Sequence, residues 1–233
     1  MIDIVILVVL GLCILAGYYR GTVYSAISIG ITLLSFFLSL LLIPLIAGSI
    51  RSTESIYSSL LYYFEGHEYI TETSVELVHE PADSVSTEAL DVIIGNADMP
   101  IPMGKAVRRN IARSVYADSG ISTLGDYFNQ TIVDVVLNIL SLLLLFVVLR
   151  LFLGFLLRIS DYGMRGFPVL KRFDAVYSCG IGFLHGVLLL YLVFLLVPVA
   201  LTVVPALEKF LEESWLGGFF YRANPLLRLI PTT

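Results

Sequence analysis

The sequence predicts an all-α membrane protein with four transmembrane helices in two hairpins, and a helical extracytoplasmic insertion between helices 2 and 3. Hydrophobic residues make up 58% of the 233 residues and charged residues only 14%, whereas soluble domains carry about 25% charged residues. Four apolar runs are long enough to cross a hydrocarbon core of about 30 Å at about 1.5 Å per helical residue. The charged residues collect in the gaps between these runs.

The first predicted hairpin covers residues 1–48, with helices at about 2–19 and 22–47. Its turn reads Gly17-Tyr18-Tyr19-Arg20-Gly21. Tyrosine and arginine suit the headgroup level and glycine permits a sharp reversal, so Gly17, Arg20 and Gly21 form the predicted turn motif. The first run has no basic segment before it and no small-residue cleavage site after it, so we expect it to remain as a span.

Residues 49–130 form an acidic insertion that is predicted to be partly helical. Twelve acidic and five basic residues between positions 51 and 130 give a net charge of −7. Apolar spacing and helix-end signals predict helices over residues 52–64, 86–94 and 102–116. Residues 65–83 are acidic and weakly patterned, and no structure is assigned to them.

The second predicted hairpin covers residues 131–205, with helices at about 131–157 and 175–204. Its connection, residues 158–174, holds four basic and two acidic residues, a net charge of +2. Short basic loops stay in the cytoplasm, so we expect both termini and the insertion on the outer side of the membrane. Residues 206–233 are amphipathic and then rich in aromatic residues, which predicts an interfacial C-terminal tail.

Polar side chains within the spans are the candidate functional residues, because such groups are costly in lipid. They form a candidate polar path: Ser25, Ser28, Thr32, Ser35 and Ser39 on one face of the second span, Asp134 and Asn138 on the third, and His185 on the fourth. The alternative interpretation is structural. The hydroxyls would then pack helices and return hydrogen bonds to their own backbone, and His185 would be a neutral, hydrogen-bonded imidazole.

Ser178, Gly182 and Gly186 recur every four residues and form a flat stripe on the fourth span. Small residues at this spacing allow two helix backbones to approach closely. The stripe is therefore either a packing surface within one chain or a contact between copies of the chain.

The motifs of common enzymes and cofactor sites are missing from the sequence. It contains no His-Glu-x-x-His, no Gly-x-Ser-x-Gly and no Gly-x-x-x-x-Gly-Lys motif. We therefore expect no enzyme activity, no catalytic residue, no cofactor and no metal, since His67 and His79 alone are an unspecific pair. No basic, aromatic-interleaved surface indicates nucleic acid.

An ordered set of residues resembles the colicin V production (CvpA) family of bacterial multi-pass membrane proteins across both hairpins and the tail. The set consists of Asp3, the turn Gly17-x-x-Arg20-Gly21, Asp174, Ser178, Gly182, Gly186, Trp215 and Asn224-Pro225-Leu226-Leu227. Ser178 replaces the first of the family's three spaced glycines, and His185 stands where the family often has lysine or arginine. The resemblance implies a cytoplasmic-membrane protein linked to bacteriocin production, a form of toxin biosynthesis, and to envelope physiology.

Two functional hypotheses follow. In the first, the protein supports bacteriocin production and export or envelope homeostasis without catalysis. Its partners are then the lipid bilayer, further copies of the chain, or envelope proteins that dock on the acidic loop. In the second, it is a small oligomeric channel or transporter whose path is lined by the Ser/Thr stripe of the second span and by His185.

Overall fold

The computed structural model describes residues 2–64, 68–71, 75–97, 99–159 and 174–231. About 83% of the structure is helical and no strand occurs within these ranges, which confirms the all-α class. Four helical segments are long and apolar enough to cross a membrane, which confirms the four predicted spans. The pairing of the spans into hairpins and the four segment boundaries stay predictions. The basic connection from residue 160 to 173 lies outside the described residues.

The helices are, in chain order, α1 (Ile2–Arg20), α2 (Thr22–Arg51), α3 (Glu54–Tyr63), α4 (Glu68–Thr71), α5 (Thr87–Asn96), α6 (Met103–Ala112), α7 (Leu124–Ile159), α8 (Asp174–Val193), α9 (Val197–Val203), α10 (Leu207–Glu212) and α11 (Trp215–Arg222). Short 3₁₀ turns cover Val75–His79, Ala117–Ser119, Phe194–Leu196 and Leu226–Leu229. Helices α3, α5 and α6 correspond to the three helices predicted in the insertion.

The turn between α1 and α2 is shorter than the five residues predicted. Helix α1 continues through Arg20, and only Gly21 leaves the helical conformation, with φ at +77°. Glycine tolerates this left-handed region at little cost, and nothing between Gly17 and Arg20 breaks a helix. Gly17 and Arg20 therefore belong to α1, and Gly21 alone separates the two helices.

The fourth span is interrupted, whereas the sequence predicts one continuous helix. Helix α8 ends at Val193, and α9 begins at Val197 after one 3₁₀ turn. Pro198 explains the break, because proline has no N–H and its ring clashes with the carbonyl four residues earlier. Near the end of α8, the Tyr191 carbonyl accepts a hydrogen bond of 2.8 Å from the Asn224 side chain.

Contacts divide the chain into two compact units. The first comprises Met1–Pro44, Ser141–Leu195 and Glu208–Pro225. The second comprises Leu45–Leu140, Leu196–Leu207 and Leu226–Thr233. Helices α1, α8 and α11 lie within the first unit and α3 to α6 within the second, while α2 and α7 contribute residues to both.

In the first unit, α1 and α8 pack with their backbones in contact. A side-chain carbon added to Gly182 would lie 2.5 Å from the Cys13 carbonyl oxygen, and one added to Gly17 would overlap the Ser178 carbonyl oxygen. At Gly186 it would lie 2.9 Å from the Cys13 Cβ atom. The small-residue stripe of the fourth span thus faces α1 of the same chain, the first of its two predicted roles.

The second unit has a hydrophobic core of its own. Buried side chains from the insertion and from the beginning of α7 pack together in one cluster. The cluster includes Ile70, Leu90, Ile93, Val107, Tyr116, Leu124 and Phe128. The Ser86 side chain caps α5 by accepting a hydrogen bond of 3.2 Å from the Ala89 amide. The insertion is therefore a folded structure that shares its core with the start of the third span.

Candidate functional site

A cluster of polar side chains lies among the spanning helices of the first unit. From α7, the Arg150 guanidinium donates through Nη2 to Ser28 Oγ at 2.9 Å and through Nε to Thr32 Oγ1 at 3.1 Å. From α8, His185 Nε2 lies 3.1 Å from the same Thr32 oxygen. Three helices therefore bring one cation, two hydroxyls and one imidazole together.

Helix geometry presents both hydroxyls to Arg150, because residues four apart lie on one helical face. Thr32 Oγ1 donates its only hydrogen to the Ser28 carbonyl at 2.9 Å. Its oxygen can then only accept from Arg150 and His185. This network assigns the imidazole proton to Nε2 of His185.

Hydroxyl groups satisfy hydrogen-bond donors of Arg150 without neutralising its charge. Within the part of the chain that the structure describes, no carboxylate forms an ion pair with Arg150. A guanidinium has five N–H donors, and only two of them are used here. A charged group at membrane depth is costly and marks a functional-site candidate.

A cavity of about 290 Å³ adjoins the cluster. Its polar wall includes Arg20, Ser25, Ser28 and His185, and its apolar wall includes Leu12 and Leu189. Leu12 is 61% exposed, so the apolar wall of the cavity reaches the surface of the protein. Gly17 and Gly182, which lie at the close crossing of α1 and α8, also line the cavity.

The predicted polar path is divided by the structure. Ser25, Ser28, Thr32 and His185 meet at or beside the cavity, whereas Ser35 and Ser39 donate to carbonyls of their own helix at 2.7 Å and 2.6 Å. Ser35 and Ser39 are fully buried. The hydroxyls of the second half of the stripe thus have helix-internal partners. Asp134 and Asn138 belong to the second unit and are not part of this cluster.

Asp134 is the centre of a separate buried network in the second unit. Its Oδ1 accepts a hydrogen bond of 3.1 Å from Arg51 Nε, and its Oδ2 accepts one of 2.8 Å from the Tyr116 hydroxyl. Arg51 Nη2 also lies 3.0 Å from Oδ1 but is not aligned as a hydrogen-bond donor. Asn110 donates to the Tyr116 hydroxyl at 3.2 Å. Asp134 thus joins the insertion to the spans of this unit.

The phenol of Tyr116 is held in its neutral form by this environment. Burial raises the pKa of Tyr116 well above its usual value, and the negative charge of Asp134 raises this pKa further. Burial and Asp134 also raise the pKa of Tyr57, whose hydroxyl accepts a hydrogen bond from Gln130. Both phenols therefore stay protonated beside the carboxylate.

Sequence reasoning missed the partners Arg150, Arg51, Tyr116 and Asn110. The available signal was the position of Arg150 inside an apolar segment. Asn138, a residue of the predicted polar path, donates to the Pro231 carbonyl at 2.9 Å. Among the described residues no group of three or more potential metal ligands occurs, and His67 lies outside them.

The residues that carry the family resemblance hold the first unit together. Asp174 Oδ1 accepts the Thr22 amide at 3.0 Å and so caps the N-terminus of α2. Asp3 Oδ1 accepts the Leu216 amide at 2.8 Å and the Ser214 hydroxyl at 2.7 Å, and so caps α11. Both carboxylates therefore stabilise the positive end of another helix.

The family model described as Colicin V production protein matches residues 2–72, a range that contains α1 to α4. The resemblance found in the sequence is thereby confirmed for this part of the chain. No curated protein and no solved structure matches the chain. The match and the four apolar helices fit a membrane protein of the colicin V production family, which is not a known enzyme family.

Proposed function

We propose that this protein supports bacteriocin production and export, or envelope homeostasis, from the bacterial cytoplasmic membrane by binding partners and without catalysis. The family match over residues 2–72 carries the proposal. In the proposed orientation both termini and the insertion are outside, and the short basic loops are cytoplasmic. This orientation rests on the distribution of Lys and Arg.

The insertion offers a docking surface for such a partner. It is folded around a core that it shares with the start of α7, so its surface is held in a defined shape. Residues 51–130 carry a net charge of −7, and three acidic side chains that are exposed on it are Glu54, Glu88 and Asp118. Complementary charge speeds encounter and excludes wrong partners. The surface therefore suits a partner with a basic face.

The test replaces the three exposed acids by Glu54→Gln, Glu88→Gln and Asp118→Asn in the full chain. The triple variant is expressed in a strain that lacks the parent protein. We expect this strain to show the same export or envelope-stress defect as the deletion strain, although the amount of protein in the membrane is unchanged. The matched control replaces Arg109 and Arg113, two exposed bases of the same insertion, by Gln and should behave like the parent. Full activity of the triple variant would mean that the acidic surface is not the docking site.

The alternative is a small oligomeric channel or transporter, and the intramembrane cluster of Arg150, Ser28, Thr32 and His185 favours it. The internal hydrogen bonds of Ser35 and Ser39 oppose a continuous polar path. Under this alternative, Thr32→Leu or His185→Leu would abolish flux in proteoliposomes without loss of folding. Absence of proton or small-ion flux through the unmodified protein would eliminate it.

A further inference from the structure

We propose that the cavity of the first unit binds a phosphate group, with Arg20, Ser25, Ser28 and His185 at its wall and Arg150 immediately behind Ser28. This site is independent of partner docking on the insertion. The argument rests on charge, on hydrogen-bond donors and on the shape and opening of the cavity.

The charge at the cavity is positive, and the part of the chain that the structure describes supplies no counter-ion to it. Arg20 lines the cavity, and Arg150 donates to the hydroxyl of Ser28, which also lines it. Among the described residues, neither arginine is in an ion pair with a carboxylate. Two cations without a carboxylate partner in the described ranges attract an anion to the cavity beside them, because attraction between charges strengthens where water is excluded.

The donors at this wall and immediately behind it suit an oxyanion. Three of the five N–H groups of Arg150 have no partner in the described protein, and Arg20 makes no hydrogen bond there. Guanidinium groups bind phosphate through paired N–H donors, and a serine hydroxyl can add a further one. Arg20 contacts the Tyr24 ring face at 5.6 Å, which holds its head near the cavity.

The cavity also has an apolar wall that opens toward lipid. It reaches along α1 from Arg20 to Leu12, eight residues or about 12 Å at about 1.5 Å per residue. Leu12 and Leu189 line this part, and Leu12 is largely exposed. The volume of 290 Å³ is near the lower limit of about 300 Å³ for small-molecule pockets. It therefore fits a headgroup with the first part of a chain.

This chemistry is shared by the phosphodiester of an anionic lipid and by free phosphate. Binding is measured by native mass spectrometry of the full chain, released from nanodiscs that contain phosphatidylglycerol and phosphatidylcholine at equal amounts. A second arm titrates inorganic phosphate into the chain in a neutral detergent. We expect retained phosphatidylglycerol, and we expect Arg150→Gln and Arg20→Gln each to weaken its retention about tenfold or more.

The matched control is Arg158→Gln, which removes an exposed charge from the end of the same helix as Arg150. It should change retention less than twofold. Arg150→Lys should restore part of the binding, since it keeps the charge but loses the paired donors. If Arg150→Gln does not fold, Arg20→Gln decides the test, because Arg20 is exposed and its guanidinium has no hydrogen bond to any residue that the structure describes.

Retention of phosphatidylglycerol that falls in the arginine variants would support a lipid phosphate as the ligand. Saturable binding of inorganic phosphate that falls in the same variants would support the site with free phosphate as the source. The proposal is overturned if neither probe binds, or if the arginine variants bind both probes as well as the Arg158→Gln control does.

Discussion

At the scale of single residues, Gly182 determines how closely α1 and α8 approach. Any side chain there would meet the Cys13 carbonyl, and Gly17 imposes the same limit from the other helix. Lipid gives no hydrophobic force between helices, so close packing of backbones must supply much of the attraction. This close crossing also forms part of the cavity wall, which joins stability to the candidate site.

The substitution Gly182→Ala should lower the free energy of unfolding by about 1–3 kcal/mol, because the added carbon forces the backbones apart. The measurement is unfolding in mixed micelles with increasing dodecyl sulfate. Gly180→Ala on the same helix is the control, since nothing lies within 4 Å of a carbon added there. Equal unfolding free energies for the two variants would contradict the close crossing.

A second residue-level prediction concerns Tyr116. Its pKa is raised in the folded protein, whereas an unfolded tyrosine ionises near pH 10. Above that pH the unfolded state loses its proton first, so stability falls as pH rises. The parent should therefore lose stability more steeply above about pH 10 than Tyr116→Phe. The exposed Tyr62→Phe is the control and should keep the parent slope. Identical slopes for parent and Tyr116→Phe would refute this assignment.

At the scale of helices, Asp174 connects the start of α8 to the start of α2. Its carboxylate accepts the Thr22 amide, and its backbone carbonyl accepts the Thr22 hydroxyl at 3.1 Å. The residue between α1 and α2 is the single Gly21, and a carbon added there would lie 3.3 Å from the carboxylate of Asp174. One acidic side chain thus fixes the helix that follows the turn.

Asp174→Ala should cost about 0.5–2 kcal/mol of unfolding free energy, because α2 loses its cap. Asp174→Asn keeps an oxygen acceptor, so its loss of unfolding free energy should be only a small fraction of the loss in Asp174→Ala. The difference between the two variants is measured by the same micelle titration. A loss as large in Asp174→Asn as in Asp174→Ala would show that charge, and not capping, is the dominant contribution.

Local patterns predicted most of the helices, and tertiary contacts explain what the patterns missed. The three helices of the insertion follow from apolar spacing and end signals within ten to fifteen residues. The break before Pro198 was missed because membrane helices tolerate proline when other groups satisfy the backbone. In this case Asn224, 33 residues after Tyr191, supplies one of those groups.

The candidate site was predictable only in part. The hydroxyl stripe of α2 and the position of His185 are visible in the sequence. The sequence does not show which of these hydroxyls lie at the cluster beside the cavity, because their partner Arg150 is 118 residues from Thr32. The same holds for Asp134, whose partner Arg51 is 83 residues away. Side-chain chemistry was readable from the sequence, whereas the pairing between distant helices required the structure.

At the scale of the whole molecule, the orientation in the membrane decides what each unit can meet. The distribution of Lys and Arg predicts that the insertion and both termini are outside. The proposed phosphate site begins at Arg20, so this orientation would give it the lipids of the inner leaflet. The docking surface would meet partners outside.

Cysteine labelling of intact cells tests this orientation. With Cys13 and Cys179 replaced by alanine, Ser119→Cys in the insertion should react with a membrane-impermeant maleimide. Arg158→Cys, near the end of α7, should react only after the cells are permeabilised. The opposite pattern would invert the orientation and assign the insertion to the cytoplasm.

Trp215 is the only tryptophan of the chain, and it is 80% exposed at the start of α11. Because Asp3 holds that end of α11 through the Leu216 amide, the indole stands beside the contact that joins the beginning of the chain to its tail. The protein thus carries a built-in optical reporter. Its emission wavelength and its quenching by brominated lipids can follow the docking of α11 without any attached dye.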